Sequence, residues 1–176
     1  MRQSKLMLAV VSICIIIIFT FLIAWGNGRI GVSSNRIEED ARKSQKIDEN
    51  WKVAKDVTDE MGILMFYDTN VDKQVFSVYT TGDPLTYGYI FKSGGTLGIE
   101  KSQIQGFSYE GKGMALVSMN GKGIEAIKVK KGTEVETIQV VPNEPFAVII
   151  PTYVEEVVGL YNSKGESIAI DNIRVN

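Results

Sequence analysis

The chain has 176 residues, with 19 basic and 21 acidic side chains, one cysteine and no histidine. This near balance of charge excludes the clustered positive surface that nucleic acid requires, so we expect no nucleic-acid partner. The lack of histidine removes the commonest general base and the commonest nitrogen ligand of metals. A single cysteine excludes disulfides within the chain. We therefore expect a fold that rests on packing alone, without metal or cofactor.

The segment Leu6–Trp25 is apolar throughout and carries neither charge nor proline. At about 1.5 Å per residue, a helix of this length covers roughly the 30 Å hydrocarbon core of a bilayer. Lipid offers no hydrogen-bond partners to the backbone, so such a segment must be helical. Trp25 stands at its end, where an indole favours the headgroup level. The sequence thus predicts a transmembrane helix, a signal-anchor that contacts the lipid bilayer through Leu6–Trp25.

The charges on either side of this segment predict its orientation. Arg2 and Lys5 lie in residues 1–5, whereas the acidic run 38–40 follows the segment. Because basic residues favour the cytoplasmic side, we expect a short cytoplasmic tail at 1–5 and a body outside the cytoplasm. Small residues at Ala24 and Gly26 leave a second interpretation open, in which signal peptidase cleaves after Gly26 and releases a soluble domain.

Two segments are predicted between the membrane and the body. Residues 26–34 are rich in glycine and serine, which indicates a flexible linker. Residues 35–61 carry a stripe of small and apolar side chains at spacings of three and four, which is typical of an amphipathic helix. Asn35 and Glu38 suit a capping box at its start. We expect Trp51 on this stripe to dock against the body.

From residue 62 the pattern changes to short alternating segments separated by turns, which predicts an extracytoplasmic β-rich domain over 62–176. The expected fold is an antiparallel sandwich or partly open barrel, so that the whole chain is α+β. Asn120-Gly121 predicts a type I′ hairpin, and residues 160–168 predict another. The candidate strands are Ile63–Asp68, Gln74–Thr80, Leu85–Lys92, Thr96–Glu100, Ile104–Glu110, Met114–Met119, Gly123–Val129, Glu134–Val141, Phe146–Ile150, Val157–Tyr161 and Ser167–Ile170. The predicted core residues are Phe66, Phe76, Val78, Tyr89, Phe91, Leu116, Ile127, Val148 and Ile150.

Several short motifs partly match the patterns of known binding sites, but none predicts a catalytic, cofactor or metal site. Residues 68–72 match half of a calcium loop, but Lys73 replaces the required glycine. The glycine-lysine-glycine triplets at 111–113 and 121–123, and the glycine-rich 94–98, do not open a helix, so they lack the aligned N–H groups of a phosphate loop. Two neighbouring hairpin tips explain the two triplets.

Acidic and aromatic residues offer the two remaining functional interpretations. Glu155 and Glu156 form an acidic pair near a strand edge, which leaves a carboxylate-dependent hydrolase as an alternative. The aromatic residues form a dense set that predicts either core packing or a stacking face for a glycan or a protein partner. These residues are Tyr79, Tyr87, Tyr89, Phe91, Phe107 and Tyr109. Alternation places Tyr87, Tyr89 and Phe91 on one face of a single strand.

The sequence therefore predicts a single-pass protein of a bacterial cell membrane that carries an extracytoplasmic β-domain. We expect this domain to be a non-catalytic binding or assembly module rather than an enzyme. Its partner is expected to be an envelope protein or a glycan, in addition to the bilayer itself.

Overall fold

A computed structural model describes residues 2–26, 30–70, 73–82, 86–96 and 103–175 of the chain. The first element is α1 (Arg2–Gly26), a helix of 25 residues. Twelve large apolar side chains of α1 are exposed, by 48% to 72%. Because Ile15 to Phe19 are consecutive and one turn takes about 3.6 residues, these side chains surround the helix.

Across the described residues, no helix combines the length and the apolar character that a bilayer crossing demands. The helix itself is confirmed at the expected place, whereas its insertion in a membrane stays a prediction.

The rest of the described chain is mostly β-structure, as predicted. A single turn of 3-10 helix (Ser34–Arg36) leads into α2 (Ile37–Gln45). Twelve strands follow in the described residues. They are β1 (Lys52–Val57), β2 (Met61–Tyr67), β3 (Gln74–Thr81), β4 (Tyr89–Thr96), β5 (Ile104–Tyr109), β6 (Gly113–Ser118), β7 (Ile124–Lys131), β8 (Glu134–Gln139), β9 (Phe146–Ile150), β10 (Glu156–Asn162), β11 (Ser167–Ile168) and β12 (Asn172–Val175).

Within these residues the strands form three four-stranded sheets. The first sheet has the order β1-β2-β3-β4, the second β12-β5-β6-β9, and the third β11-β10-β7-β8. Every pair is antiparallel except β12 with β5. At that parallel pair, the Ile104 N–H donates to Asp171 Oδ2 at 2.8 Å, and Lys122 Nζ lies 3.1 Å from Asp171 Oδ1. This hydrogen bond, helped by the lysine, lowers the pKa of Asp171.

The second sheet lies between the other two and is buried on both faces. Ala115 and Val117 of β6 join the core shared with the first sheet, while Leu116 between them joins the core shared with the third. The five residues of β9 divide in the same alternating way. In the first of these cores, the rings of Phe76 and Phe107 have centroids 4.5 Å apart. The predicted sandwich is therefore confirmed as a β-fold, with three sheet layers instead of two.

A third core covers the outer face of the first sheet. Ile37 and Ala41 of α2 pack there against Leu64, Phe66 and other residues of the first sheet. Among the residues that the structure describes, the members of all three cores come after Ile30. Eight of the nine predicted core residues are buried, and the exception is Phe91, which is 44% exposed at the edge of this layer.

The predicted helix over 35–61 is wrong after Gln45. Lys46 adopts the left-handed conformation, with φ 55° and ψ 47°, and the Ile47 N–H donates to Arg42 O at 2.9 Å, which ends the helix. All six residues of β1 then pair with β2. Trp51 precedes this strand and is partly buried against the third core, so its docking is confirmed and its place on a helix is wrong.

A set of polar contacts around Arg42 explains why the chain turns back after α2. The guanidinium lies 3.1 Å from Glu38 Oε1, donates to the carbonyls of Asp48 and Trp51, and stacks over the Phe66 ring at 4.9 Å. Glu38 also accepts from Lys55 Nζ of β1 at 2.8 Å. The Lys55 hydrogen bond, followed by those from Arg42, lowers the pKa of Glu38 despite its partial burial.

Two strands and one turn also differ from the sequence predictions. β1 and β12 are additional strands, and residues 93–95, predicted as the turn between the strands Leu85–Lys92 and Thr96–Glu100, lie inside β4. The predicted strand Thr96–Glu100 falls, apart from Thr96, outside the described residues. The hairpin at 160–168 is confirmed, because β10 and β11 pair directly.

The predicted hairpin at Asn120-Gly121 is wrong, because β6 and β7 belong to different sheets. Asn120 is fully buried at this corner, with φ 56°. Its side-chain amide donates to the carbonyls of Ile124 and Val141, both at 2.9 Å, and its Oδ1 accepts from the Ile124 N–H at 2.6 Å. These side-chain bonds replace the ladder of a hairpin and let the chain pass from the second sheet to the third.

We predict that Asn120→Ala lowers the free energy of unfolding of residues 30–176 by about 2–4 kcal/mol, because it leaves buried backbone groups unpaired. Urea unfolding followed by the fluorescence of Trp51, the one tryptophan in that part of the sequence, measures the loss. Asn143→Ala is the control, since Asn143 also has a positive φ (61°) but is exposed. Equal losses in the two variants would contradict the role of the side-chain bonds.

Candidate functional site

A cleft of about 570 Å³ lies between α2, the segment before it and the start of β4. We call it the aromatic cleft and define it by Ile30, Arg36, Lys43, Tyr87 and Phe91. It is the place where exposed aromatic rings, charged side chains and the chain leaving α1 come together.

Backbone pairing builds one wall of the aromatic cleft. The Gly31 N–H donates to Tyr87 O at 2.7 Å, and Val32 and Tyr89 exchange two hydrogen bonds of 2.9 and 2.8 Å. We call residues 30–32 with these bonds the latch. The prediction of a flexible linker over 26–34 is therefore wrong at 30–32, while 27–29 lie outside the described residues. The reason is long-range pairing with the β-domain, which a local composition of glycine and serine does not reveal.

The latch depends on close backbone contact at two glycines. A Cβ added to Gly31 would lie 2.2 Å from Tyr89 O, which only backbone movement can relieve. Gly88 has φ +77°, a conformation that residues with a side chain rarely adopt, and a Cβ there would lie 2.6 Å from Val32 O. Both positions thus require glycine for the latch to close.

Two buried tyrosines form hydrogen bonds that hold the elements around the cleft together. Tyr79 is fully buried, and its hydroxyl donates to Asp40 Oδ2 of α2 at 2.7 Å. The Tyr89 hydroxyl donates to Thr58 O. Burial raises the pKa of both phenols, and the neighbouring Asp40 and Asp59 carboxylates respectively raise it further. Both tyrosines therefore remain neutral hydrogen-bond donors that hold α2 and β4 in place.

The predicted aromatic set divides between core and surface. Tyr89 is buried, whereas Tyr87 is 71% exposed because the positive φ of Gly88 interrupts the strand between them. Phe91 is 44% exposed and meets the edge of the Tyr79 ring, with centroids 5.6 Å apart. Phe107 lies in the first core. A single stacking face for Tyr87, Tyr89 and Phe91 is thus wrong, and two of these rings remain available for contact.

The acidic pair lines a second cleft, of about 480 Å³, together with Glu110. Glu155 and Glu156 are both exposed, and Glu155 lies 4.0 Å from Lys130 Nζ. Both carboxylates therefore face solvent as well as the cleft.

The remaining motifs serve as turns. The β2–β3 turn is closed by a hydrogen bond in which Asp68 Oδ1 accepts the Lys73 N–H at 3.2 Å. Residues 71–72 of the calcium-like motif lie outside the described residues. The triplet at 111–113 is the predicted hairpin tip between β5 and β6. The triplet at 121–123 belongs to the Asn120 corner, so its prediction as a hairpin tip is wrong. In the described part of the chain, no group of three or more acidic, cysteine or histidine residues is arranged to hold a metal ion.

The aromatic cleft combines exposed aromatic rings with charged side chains. Its exposed rings offer amphipathic and apolar area, and its rim carries Arg36, Lys43 and Glu39 of both signs. Arg36 Nε lies 3.3 Å from Glu39 Oε2, so part of this charge is neutralised locally. The fold and the cleft together define a class: a layered, mainly antiparallel β-domain that follows an apolar helix and exposes aromatic rings.

Comparison with protein-family models, with curated proteins and with solved structures finds no match to this chain.

We predict that Gly31→Ala opens the latch while the three cores remain folded. Hydrogen exchange of the Val32 and Tyr89 amides in residues 30–176 should accelerate by at least about tenfold, because local opening no longer has to break paired backbone bonds. Gly132→Ala is the control, since Gly132 has φ +61° but no atom within 4 Å of an added Cβ. Unchanged exchange in Gly31→Ala, or the same acceleration in the control, would rule out the steric role of Gly31.

Proposed function

We propose that the chain is a single-pass, membrane-anchored protein of a bacterial cell envelope. Its β-domain lies outside the cytoplasm and acts as a non-catalytic binding or assembly module. The anchor is α1, and the contact surface of the module is the aromatic cleft.

The observation that carries this proposal is the exposure of α1. Transfer of one fully exposed large apolar side chain out of water is worth about 1.5–3 kcal/mol, so twelve side chains that are 48% to 72% exposed represent roughly 10–20 kcal/mol. This is as large as the roughly 5–15 kcal/mol by which a whole domain is stable. A helix that is apolar on every side requires an apolar medium, and a bilayer supplies one.

The length of the anchor comes from structure and sequence together. The described side chains of α1, at 7 and 10–23, cover less than the about 20 residues that a bilayer crossing requires. The apolar residues that extend the run, Leu6, Leu8, Ala9, Ala24 and Trp25, enter the proposal from the sequence. Arg2 and Lys5 before this run, and the acidic residues 38–40 after it, support an external β-domain.

The role as a contact module draws on the two clefts. The second cleft, lined by Glu110, Glu155 and Glu156, presents solvated carboxylates. The aromatic cleft presents Tyr87 and Phe91 to the surroundings. Exposed aromatic rings next to charges of both signs are typical of surfaces that bind a partner. The alternative of a secreted domain is supported by the self-contained cores after Ile30 and by the small residues Ala24 and Gly26.

Cysteine labelling in cells tests anchor and orientation together. In a Cys14→Ala background, we expect Ser163→Cys, at the exposed β10–β11 turn, to react with a membrane-impermeant maleimide in intact, wall-stripped cells. Ser4→Cys, which precedes the apolar run Leu6–Trp25, should react only after lysis. The reverse pattern would contradict the orientation. A soluble mature chain that starts at Asn27, detected by its mass, would contradict the anchor and favour secretion.

A further inference from the structure

The latch fixes how far the β-domain can lie from the end of α1. Gly26 and Ile30 are separated by four consecutive Cα–Cα steps of about 3.8 Å, so their Cα atoms are at most about 15 Å apart. Ile30 is bridged to Tyr87, and Val32 is bridged to Tyr89. The start of β4 is therefore held close to the end of α1 by covalent and hydrogen bonds, whatever conformation residues 27–29 adopt.

The surface beside this attachment carries the exposed rings of the aromatic cleft. Tyr87 is 71% exposed, Phe91 is 44% exposed, and Ile30 lies at the same cleft. A tyrosine combines an apolar ring with a polar hydroxyl, which suits the boundary between lipid headgroups and hydrocarbon. The residues that would meet a membrane next to α1 are thus of the type that such a boundary favours.

The charges of the cleft allow approach to a bilayer of either net charge. Arg36 and Lys43 are opposed by Glu39 and Asp40 in the same lining. Glu39 is paired with Arg36, and the positive charge of Lys43 balances the negative charge of Asp40, so the lining of the cleft has no net charge. The contact should therefore depend on the aromatic rings and only weakly on anionic lipid.

We infer that the aromatic cleft lies on the bilayer surface, with Tyr87 and Phe91 at the level of the lipid headgroups. The occupant of this surface is the membrane in which α1 is inserted. This inference rests on the proposed function, because it requires α1 to be an anchor. The first sheet and α2 then face the membrane, and the third sheet faces away from it.

The third sheet, on the side of the domain away from the aromatic cleft, offers a control position for a membrane probe. Stacked sheets lie about 10 Å apart, so the third sheet is about 20 Å from the first along the stacking direction. Ser163 is exposed in the β10–β11 turn of the third sheet. A probe at Ser163 should remain in water while a probe at Tyr87 lies among headgroups.

The test uses the full chain in phosphatidylcholine vesicles, in a Cys14→Ala background with one added cysteine. Tyr87→Cys, Phe91→Cys and Ser163→Cys are each labelled with a fluorophore that shifts to the blue in apolar surroundings. Nitroxide lipids labelled at the headgroup serve as quenchers. Flotation of the same samples on a density gradient reports whether α1 holds the chain on the vesicles.

We expect blue-shifted emission at positions 87 and 91, with headgroup quenching several-fold stronger than at 163. Partial replacement of phosphatidylcholine by phosphatidylglycerol should change this ratio little. Chains that float but show the same weak quenching at 87, 91 and 163 would overturn the inference and leave the anchor intact. Chains that fail to float would overturn the anchor and the inference together. Strong quenching only with the anionic lipid would overturn the aromatic basis of the contact.

Discussion

The burial of the second sheet on both faces is the constraint on which the rest of the structure depends. β6 and β9 each direct alternate side chains into two different cores, so one strand fixes its neighbours on both sides. A register shift of one residue would exchange these two sets of side chains, for example Leu116 with Ala115, and would disturb both cores at once. The first and third sheets therefore have their positions set by the middle layer.

Burial of the second sheet also requires a polar partner for the backbone at its β9 edge. β9 is an edge strand of the second sheet, and its Ile149 N–H would be an unpaired donor in a largely buried place. Asp56 of β1 accepts this N–H at 2.8 Å with Oδ2. β1 thus covers the edge of a sheet to which it does not belong.

The β-character of the chain was predictable because alternation and turn residues are local signals. Most strand positions and eight of nine core residues followed from them. β1 was not predictable in this way, since Val53, Ala54 and Val57 have helical spacing and their strand conformation comes from pairing with β2. The end of α2 was also not predictable from the sequence, because Lys46 adopts the left-handed conformation that glycine normally signals.

The candidate site was predictable only in part, for the same physical reason. Tyr87 and Phe91 belonged to an aromatic set visible in the sequence, but alternation alone placed them with Tyr89 on one face. The interruption at Gly88 and the latch at Gly31 are products of contacts between residues more than fifty positions apart. A local sequence pattern does not predict such a long-range contact, so the site can be identified only in the folded structure.

The parallel pairing of β12 with β5 has a consequence for how the protein is made. Asp171 and Ile104, which join at this pair, are 67 residues apart in the chain, and the whole third sheet lies between them. A ribosome synthesises β5 well before β12, so one edge of the second sheet remains open while the intervening residues emerge. Open edges invite pairing with other unfolded chains. The middle layer can therefore be completed only after β12 has been synthesised, and the delay between the two strands is the interval in which a holding chaperone would protect this protein most.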